Sequence, residues 1–421
     1  MDVNNRMKIA FFVDTFPKLS ETFVLNQITG LLQRGHEVKV FSRESGEEGM
    51  LHPEIKEYGL FDKTVYYGDD FVETPKGKVS RVFQAFMIFS RKGAKSRKAL
   101  LKSMSFLRFG KSALSLTVFY SILPFLDKRL EDYDVVHCHF GPVGAMAALL
   151  KETGVLSGRL VTTIHGYDIT SYVKGKGRGV YDHLFKVGDL FMPISERWSK
   201  ELLRLGCPEE KILVHHMGVD LDKFTFIPRG TSDDQAINIL TIARLVEKKG
   251  VEYGVRAVAK ALSSYPDIHY TIIGDGPLRD TIQKLISDLK VEDMVELVGW
   301  KSQDEIVVPM REVDILLAPS VTSVDGDQEG IPVVLMEALA QGLPVLSTLH
   351  SGIPELIQVG ESGYLVPERD GVALSDKLLM LLSERNRWRD MGMAGRECIE
   401  KEFNLHNLNN SLVDIYKKLD A

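Results

Sequence analysis

The stretch Glu329-Gly-Ile-Pro-Val-Val-Leu-Met-Glu337-Ala-Leu-Ala-Gln-Gly342-Leu-Pro-Val345 is the most informative in this chain. Pro332 suits the first turn of a helix and Gly342 its end, so the run predicts a helix over Ile331 to Gln341. Two carboxylates bracket it: Glu329 stands just ahead of the start, and Glu337 faces the same side about one and a half turns in. The helix start formed here by Gly330, Ile331, Pro332 and Val333 has free N–H groups, none of them from Pro332, and can hold an anionic phosphate, with Gly330 allowing close approach. Carboxylates beside it can accept hydrogen bonds from sugar hydroxyls. Spacing alone fits equally an amphipathic helix with two solvated glutamates.

On either side, short apolar runs alternate with helical periodicity. Ile9 to Val13, Val38 to Phe41, Val135 to His137, Leu160 to Ile164 and Leu190 to Ile194 read as strands, with helices at Glu21 to Leu32, Val143 to Lys151 and Glu196 to Leu205. After Asp222 the alternation restarts, with strands at Ile237 to Ile242, His269 to Ile273, Val295 to Val298, Ile315 to Ala318 and Val345 to Ser347. The helices between them are Val251 to Leu262, Leu278 to Leu289 and the one over Ile331 to Gln341. Fully apolar strands alternating with helices predict parallel sheets covered on both faces. The expected architecture is α/β: two doubly wound, Rossmann-like domains, 1–225 and 226–400, facing across a cleft, with Pro228 to Gln235 as linker. A C-terminal helix over 401–421 carries Leu408, Leu412, Ile415 and Leu419 on one face and is expected to pack back on the first domain.

Ligands of doubly wound sheets sit beyond the carboxyl ends of the strands. Arg244 and Lys249 fall on the turn after the first strand of the second half, where two cations can neutralise a diphosphate. Gly274-Asp-Gly276-Pro277 follows the next strand. It lacks the third glycine of a dinucleotide fingerprint, and Pro277 is expected in the first helical turn, so NAD binding is weakly supported. No GxxxxGK[ST] occurs, which excludes a P-loop. His165 and Gly166 end a first-domain strand. Ser20 and Glu21, after the first strand, fit a helix cap as well as an acceptor role. His137-Cys-His139, His215-His216 and Asp325-Gly-Asp327 resemble metal-ligand clusters, but none has a matching second cluster, and no essential metal is expected.

Taken in order, these motifs resemble the retaining glycosyltransferases of family 4, whose fold is the two-domain GT-B arrangement. Glu329 and Glu337 match the family's E-x7-E motif, and Ile242 to Gly250 matches its Arg/Lys diphosphate loop, with Ala243 in place of the usual Gly. Ile272 to Pro277 resembles the nucleotide-side turn, and Leu297 to Trp300 the base-binding strand end. His215 to Phe224 resembles the domain-crossing segment, with Met217 in place of Asn. The resemblance implies that Glu337 binds ribose, that Glu329 contacts the transferred sugar, and that His165 reaches that sugar from the opposite wall. Gly274 and Trp300 are implied on the nucleotide side. Pro17-Lys-Leu-Ser-Glu-Thr-Phe23, His165 to Asp168 and Asp325 to Pro332 look most like the exopolysaccharide branch, including colanic-acid-type enzymes.

The 421 residues carry a formal charge of -6, and three distant cysteines exclude a disulfide framework and fit a reducing cytosol. Thr74 to Leu126 holds eleven Lys/Arg and no acidic residue, so the remainder of the chain carries -6 - 11 = -17. Val79, Val82, Phe83, Phe86 and Met87 recur there at helical spacing, as do Leu100, Met104 and Leu107. Basic amphipathic helices with aromatic faces bind anionic membrane surfaces. A solvated helical subdomain and nucleic-acid binding are the alternatives; the membrane surface is preferred and no nucleic acid is expected. Met1 to Met7 lacks the apolar core of a signal peptide, and Ser112 to Leu126, broken by Pro124, is too short to span a bilayer.

The expected function is transfer of a sugar from a nucleotide diphosphate sugar to a hydroxyl of a glycan or lipid-linked glycan. It would run without a metal or other cofactor, in the cytoplasm and peripheral on the inner face of the membrane. A nucleotide-sugar epimerase or phosphorylase on the same fold, or a non-catalytic membrane-surface protein, are the rivals.

Overall fold

In a computed structural model of the chain, which describes residues 6–46, 51–128, 130, 132–230 and 236–420, twelve strands form two sheets. The first contains β1 (Lys8–Phe16), β2 (Glu37–Ser45), β3 (Thr64–Tyr66), β4 (Val135–His139), β5 (Arg159–Ile164) and β6 (Leu190–Pro193), in the order β3-β2-β1-β4-β5-β6. The second contains β7 (Ile237–Ile242), β8 (Ile268–Ile273), β9 (Val295–Gly299), β10 (Ile315–Ala318), β11 (Val345–Thr348) and β12 (Gly363–Val366), in the order β12-β11-β10-β7-β8-β9. Every pairing between neighbouring strands is parallel. β4 is buried along its whole length, as a strand covered on both faces must be.

Strand order reverses between β1 and β4 in one sheet and between β7 and β10 in the other, and these switch points open crevices beyond the strand ends. The sequence pattern did not reveal β3 or β12, edge strands of three and four residues.

Among the described residues three apolar cores form, and one spans both sheets, joining residues such as Phe12, Val136 and Leu160 to Leu240, Leu316 and Val345. The helix Leu405–Asp420 returns to the first sheet, as expected. Leu412, Val413 and Tyr416 pack with Phe11, Ile28 and Val135, while Arg34 donates to Asn410 and to the His406 carbonyl. At the start of the expected linker, the buried Arg229 guanidinium donates to the carbonyls of Arg311, Val313, Met310 and Gln341. That satisfies the carbonyls where helix Gln303–Glu312 ends. Residues 231–235 of the expected linker, and residues 1–5 of the segment read for a signal peptide, lie outside the described residues.

The helix after Glu329 departs from expectation. It runs Val333–Ala340, starting two residues late, and Pro332 is its extended N-cap instead of part of its first turn. Proline disfavours helical backbone in the residue before it, so Ile331 cannot begin the helix. Pro277 likewise precedes its helix, Arg279–Leu289. The basic segment forms helices Lys78–Arg91, Ala94–Ser103, Phe106–Phe109, Lys111–Leu114 and Thr117–Ile122. On the first of these only Ala85 is fully buried, while Val79 is 85% exposed, Phe83 67% and Phe86 66%; Leu107 further on is 97% exposed. Its apolar stripe faces outward, the reverse of an ordinary surface helix.

Candidate active site

The loop expected from the sequence to meet a diphosphate stands at the switch point of the second sheet. Beyond β7 the chain turns through Ala243, Arg244 and Leu245 and is pinned to the turn after β8 by Ala243 N–H to Ile273 O and Leu245 N–H to Asp275 O, 2.9 and 2.8 Å. Gly274, at φ +147°, is required by this approach, since a β-carbon there would lie 1.8 Å from the Ala243 carbonyl oxygen. Gly274 therefore shapes the loop. Its N–H donates to Gly299 O, which places Trp300, 40% exposed, at the end of β9 beside the same turn.

Glu329 follows β10 and is buried. Lys249 Nζ lies 3.0 Å from one of its carboxylate oxygens and Lys248 Nζ 3.6 Å from the other, while Lys248 also reaches Asp327 at 2.8 Å. Burial alone would raise the Glu329 carboxyl, but Lys249 and then Lys248 hold it down to about 2, so it is ionised throughout the physiological range. One oxygen of Glu329 and one of Asp327 are buried without a hydrogen-bond partner. They are acceptors suited to hydroxyl donors. Glu337, on helix Val333–Ala340, is buried. Arg244 is exposed at the rim.

The first domain forms the opposite wall. Gly330 and Gly352 close against it: a β-carbon on Gly330 would meet the His165 carbonyl oxygen at 2.8 Å and Ile194 Cδ1 at 2.4 Å, and one on Gly352 would meet Ser195 Cβ at 3.1 Å. Glu355 of the second domain accepts from the N–H groups of Glu196 and Arg197, 2.8 and 2.9 Å, at the start of helix Glu196–Arg204, and Lys174 donates to Asp325 O. The His165 side chain is turned inward. Its Nε2 meets His139 Nδ1 at 3.0 Å, its ring lies against Phe140 and Phe23, and burial lowers its pKa to about 3. The backbone carbonyl of His165 is thus what lies next to Gly330. Glu21 sits on the N-cap position after β1 without capping. Burial raises its carboxyl; Lys18, 2.5 Å away, opposes this most strongly, and Arg244 of the other domain adds a smaller lowering.

Most of the ligating atoms of the metal-like clusters are engaged by protein partners, although His139 Nε2 and one Asp327 oxygen are not. Both ring nitrogens of His137 are engaged, by Tyr416 OH and Thr163 Oγ1. His215 and His216 meet the carbonyls of Leu408 and Ile194. Asp325 accepts from Ser323 and the Asp327 N–H. Among the described residues no group of three His, Cys, Asp or Glu is arranged to hold a metal. Three contributors to the site carry no motif signal of their own: Lys248, His350 and Glu355. Adjacency to Lys249 could have flagged the first, while the other two enter only through tertiary contacts.

Cations and carboxylates at the switch point of one doubly wound sheet, closed over by a second such sheet, are the arrangement of a GT-B glycosyltransferase. Residues 20–223 match the family described as Glycosyltransferase Family 4, and residues 222–398 the family described as Glycosyl transferases group 1. The chain belongs to this glycosyltransferase family. It is 39% identical to the amylovoran biosynthesis glycosyltransferase AmsK of Erwinia amylovora, over 98% of this chain and 100% of that one. Identity is 37% to WcaL of Escherichia coli (strain K12), a protein named for colanic acid biosynthesis, with 98% and 100% coverage. The fold is that of Anabaena Alr3699/HepE, solved in complex with UDP and glucose, with a TM-score of 0.68 at 14% identity over 98% of this chain and 100% of that one.

Proposed function

We propose that the protein is a retaining hexosyltransferase of exopolysaccharide biosynthesis, moving a sugar from a nucleoside diphosphate donor to a hydroxyl of a glycan or lipid-linked glycan. The observation that carries this reading is the convergence of Lys248, Lys249 and ionised Glu329 at the switch point, opposite the backbone of His165 and Gly166, with Arg244 on the same loop as the lysines. Arg244 and Lys249, with the loop at Gly330, stabilise the leaving diphosphate as its charge grows, without a metal. Glu329 accepts from sugar hydroxyls and Glu337 from the ribose. In this reading, as the resemblance to the family implies, the acceptor attacks on the face the diphosphate leaves, and the leaving phosphate takes its proton. The names of WcaL and AmsK support the pathway class, and the UDP in the HepE complex supports a nucleoside diphosphate.

A screen of nucleotide sugars by thermal shift tests the donor site, because a ligand bound only by the folded state raises Tm. Nucleotide released from the stabilising donor only when an acceptor glycan is added would exclude an epimerase or phosphorylase. No shift with any nucleotide sugar would overturn the reading.

The outward apolar stripe of helix Lys78–Arg91, set among eleven Lys/Arg, supports docking of the first domain on the anionic inner face of the membrane. Among the described residues no helix is long and apolar enough to cross a membrane. Phe83→Ser/Phe86→Ser should abolish sedimentation with anionic vesicles; failure of the unaltered protein to sediment would refute the docking.

A further inference from the structure

The backbone of Glu329 is held from both sides by two consecutive residues after β11. His350 Nε2 lies 3.0 Å from the Glu329 N–H, and Ser351 Oγ donates to the Glu329 carbonyl at 2.5 Å. The other ring nitrogen, Nδ1, lies 2.6 Å from Glu368 Oε1, and Glu368 in turn accepts from the Thr322 N–H at 2.6 Å. His350 is fully buried, and Ser351 adopts φ +49° to complete the clasp. A peptide N–H can only donate, so Nε2 must present a lone pair and the proton must sit on Nδ1, donated to Glu368.

We propose that His350 is a positioning residue for the donor site: its neutral Nδ1–H tautomer, set by Glu368, accepts the Glu329 N–H and fixes where the Glu329 carboxylate meets the donor sugar. This rests on the reading of Glu329 as a sugar contact. It assigns His350 and Glu368 to sugar recognition through Glu329, leaving the diphosphate to Arg244 and Lys249. Protonation of His350 would set N–H against N–H and release Glu329. Around the imidazole, burial favours the neutral form most strongly and Arg197 adds to it, while Glu368 and Glu329 oppose. The neutral clasp therefore holds at pH 7 and loosens in acid.

Two measurements on the full chain test this. Long-range proton–nitrogen NMR of 15N-histidine protein, with His350→Gln as the assignment control, should show His350 protonated at Nδ1 alone at pH 7.5; the Nε2–H tautomer or an imidazolium would overturn the proposal. Calorimetry with UDP-glucose, GDP-mannose, UDP and GDP supplies the second readout. An unpartnered buried N–H costs the equivalent of about 5- to 150-fold in an equilibrium. His350→Ala should therefore weaken the bound nucleotide sugar about tenfold or more, while changing the bare nucleoside diphosphate less than about twofold. His350→Gln, whose amide oxygen can accept the same N–H, should recover much of the loss and remove the acid weakening of sugar-nucleotide binding expected of the unaltered protein. Equal sugar-nucleotide binding by all three proteins would refute the positioning role. If the unaltered protein binds none of the four probes, the donor-site reading fails, and the NMR result still decides the tautomer.

Discussion

Lys249→Met removes the cation nearest Glu329 and keeps the aliphatic stem. The Glu329 carboxyl sits at about 2 instead of 4.5. At 1.36 kcal/mol per pH decade that depression is worth about 3 kcal/mol, net of the cost of burial. Lys249 is the closer of the two lysines and the stronger influence, so about 2 kcal/mol of this should go with it. The sign follows from the lowered pKa: the contribution is complete above pH 4.5 and disappears as pH falls toward 2. At pH 7, urea unfolding should show Lys249→Met destabilised by about 2 kcal/mol. Glu329→Gln in the same chain should return most of that loss, giving a coupling of about 2 kcal/mol in the double-mutant cycle. Transferase activity should not return with it, because the diphosphate would still lack its lysine. A coupling below about 0.5 kcal/mol, the value of an exposed pair, would refute the buried ion pair. Full activity in Lys249→Met would refute the diphosphate site.

Further consequences follow from the geometry around the cleft. His137, His139, His165 and His215 all have pKa values lowered by burial. Stability should therefore be level above pH 6.5 and fall below it by about 1.4 kcal/mol per pH unit for each; a level profile from pH 7.5 to 5.5 in urea titrations would show that the stack is solvated. Gly330→Ala puts a methyl against His165 O and Ile194, so donor turnover should fall at least tenfold with little change in Tm, and small-angle scattering should report a wider molecule. Tyr416→Phe removes the hydroxyl partner of His137 and should cost about 1–2 kcal/mol, with faster hydrogen exchange in helix Leu405–Asp420; unchanged exchange would mean that this bond does not anchor the helix.

Strand and helix positions were legible because parallel strands buried on both faces read as unbroken apolar runs, and β7 and β10 begin and end where those runs do. The loop after β7 and the helix after Glu329 were legible as a turn and a helix for a different reason: each is local and spans no more than about ten residues. What proline did to that helix was legible in kind and misplaced by two residues, because Pro332 restricts Ile331 as well as itself.

By itself the sequence determined the two sheets, the cations and carboxylates after their strands, and the basic insertion with its apolar stripe. Each of these is written in neighbouring residues, where periodicity and side-chain chemistry act over a few positions. Only the tertiary structure decided which groups meet. It paired Lys249 and Lys248 with Glu329, turned the His165 ring inward to His139, brought Glu355 onto the first domain, and set His350 and Glu368 behind Glu329. Those contacts join residues from 18 to 159 positions apart, or across two sheets. Burial and hydrogen-bond direction, which select among them, exist only once the chain has folded.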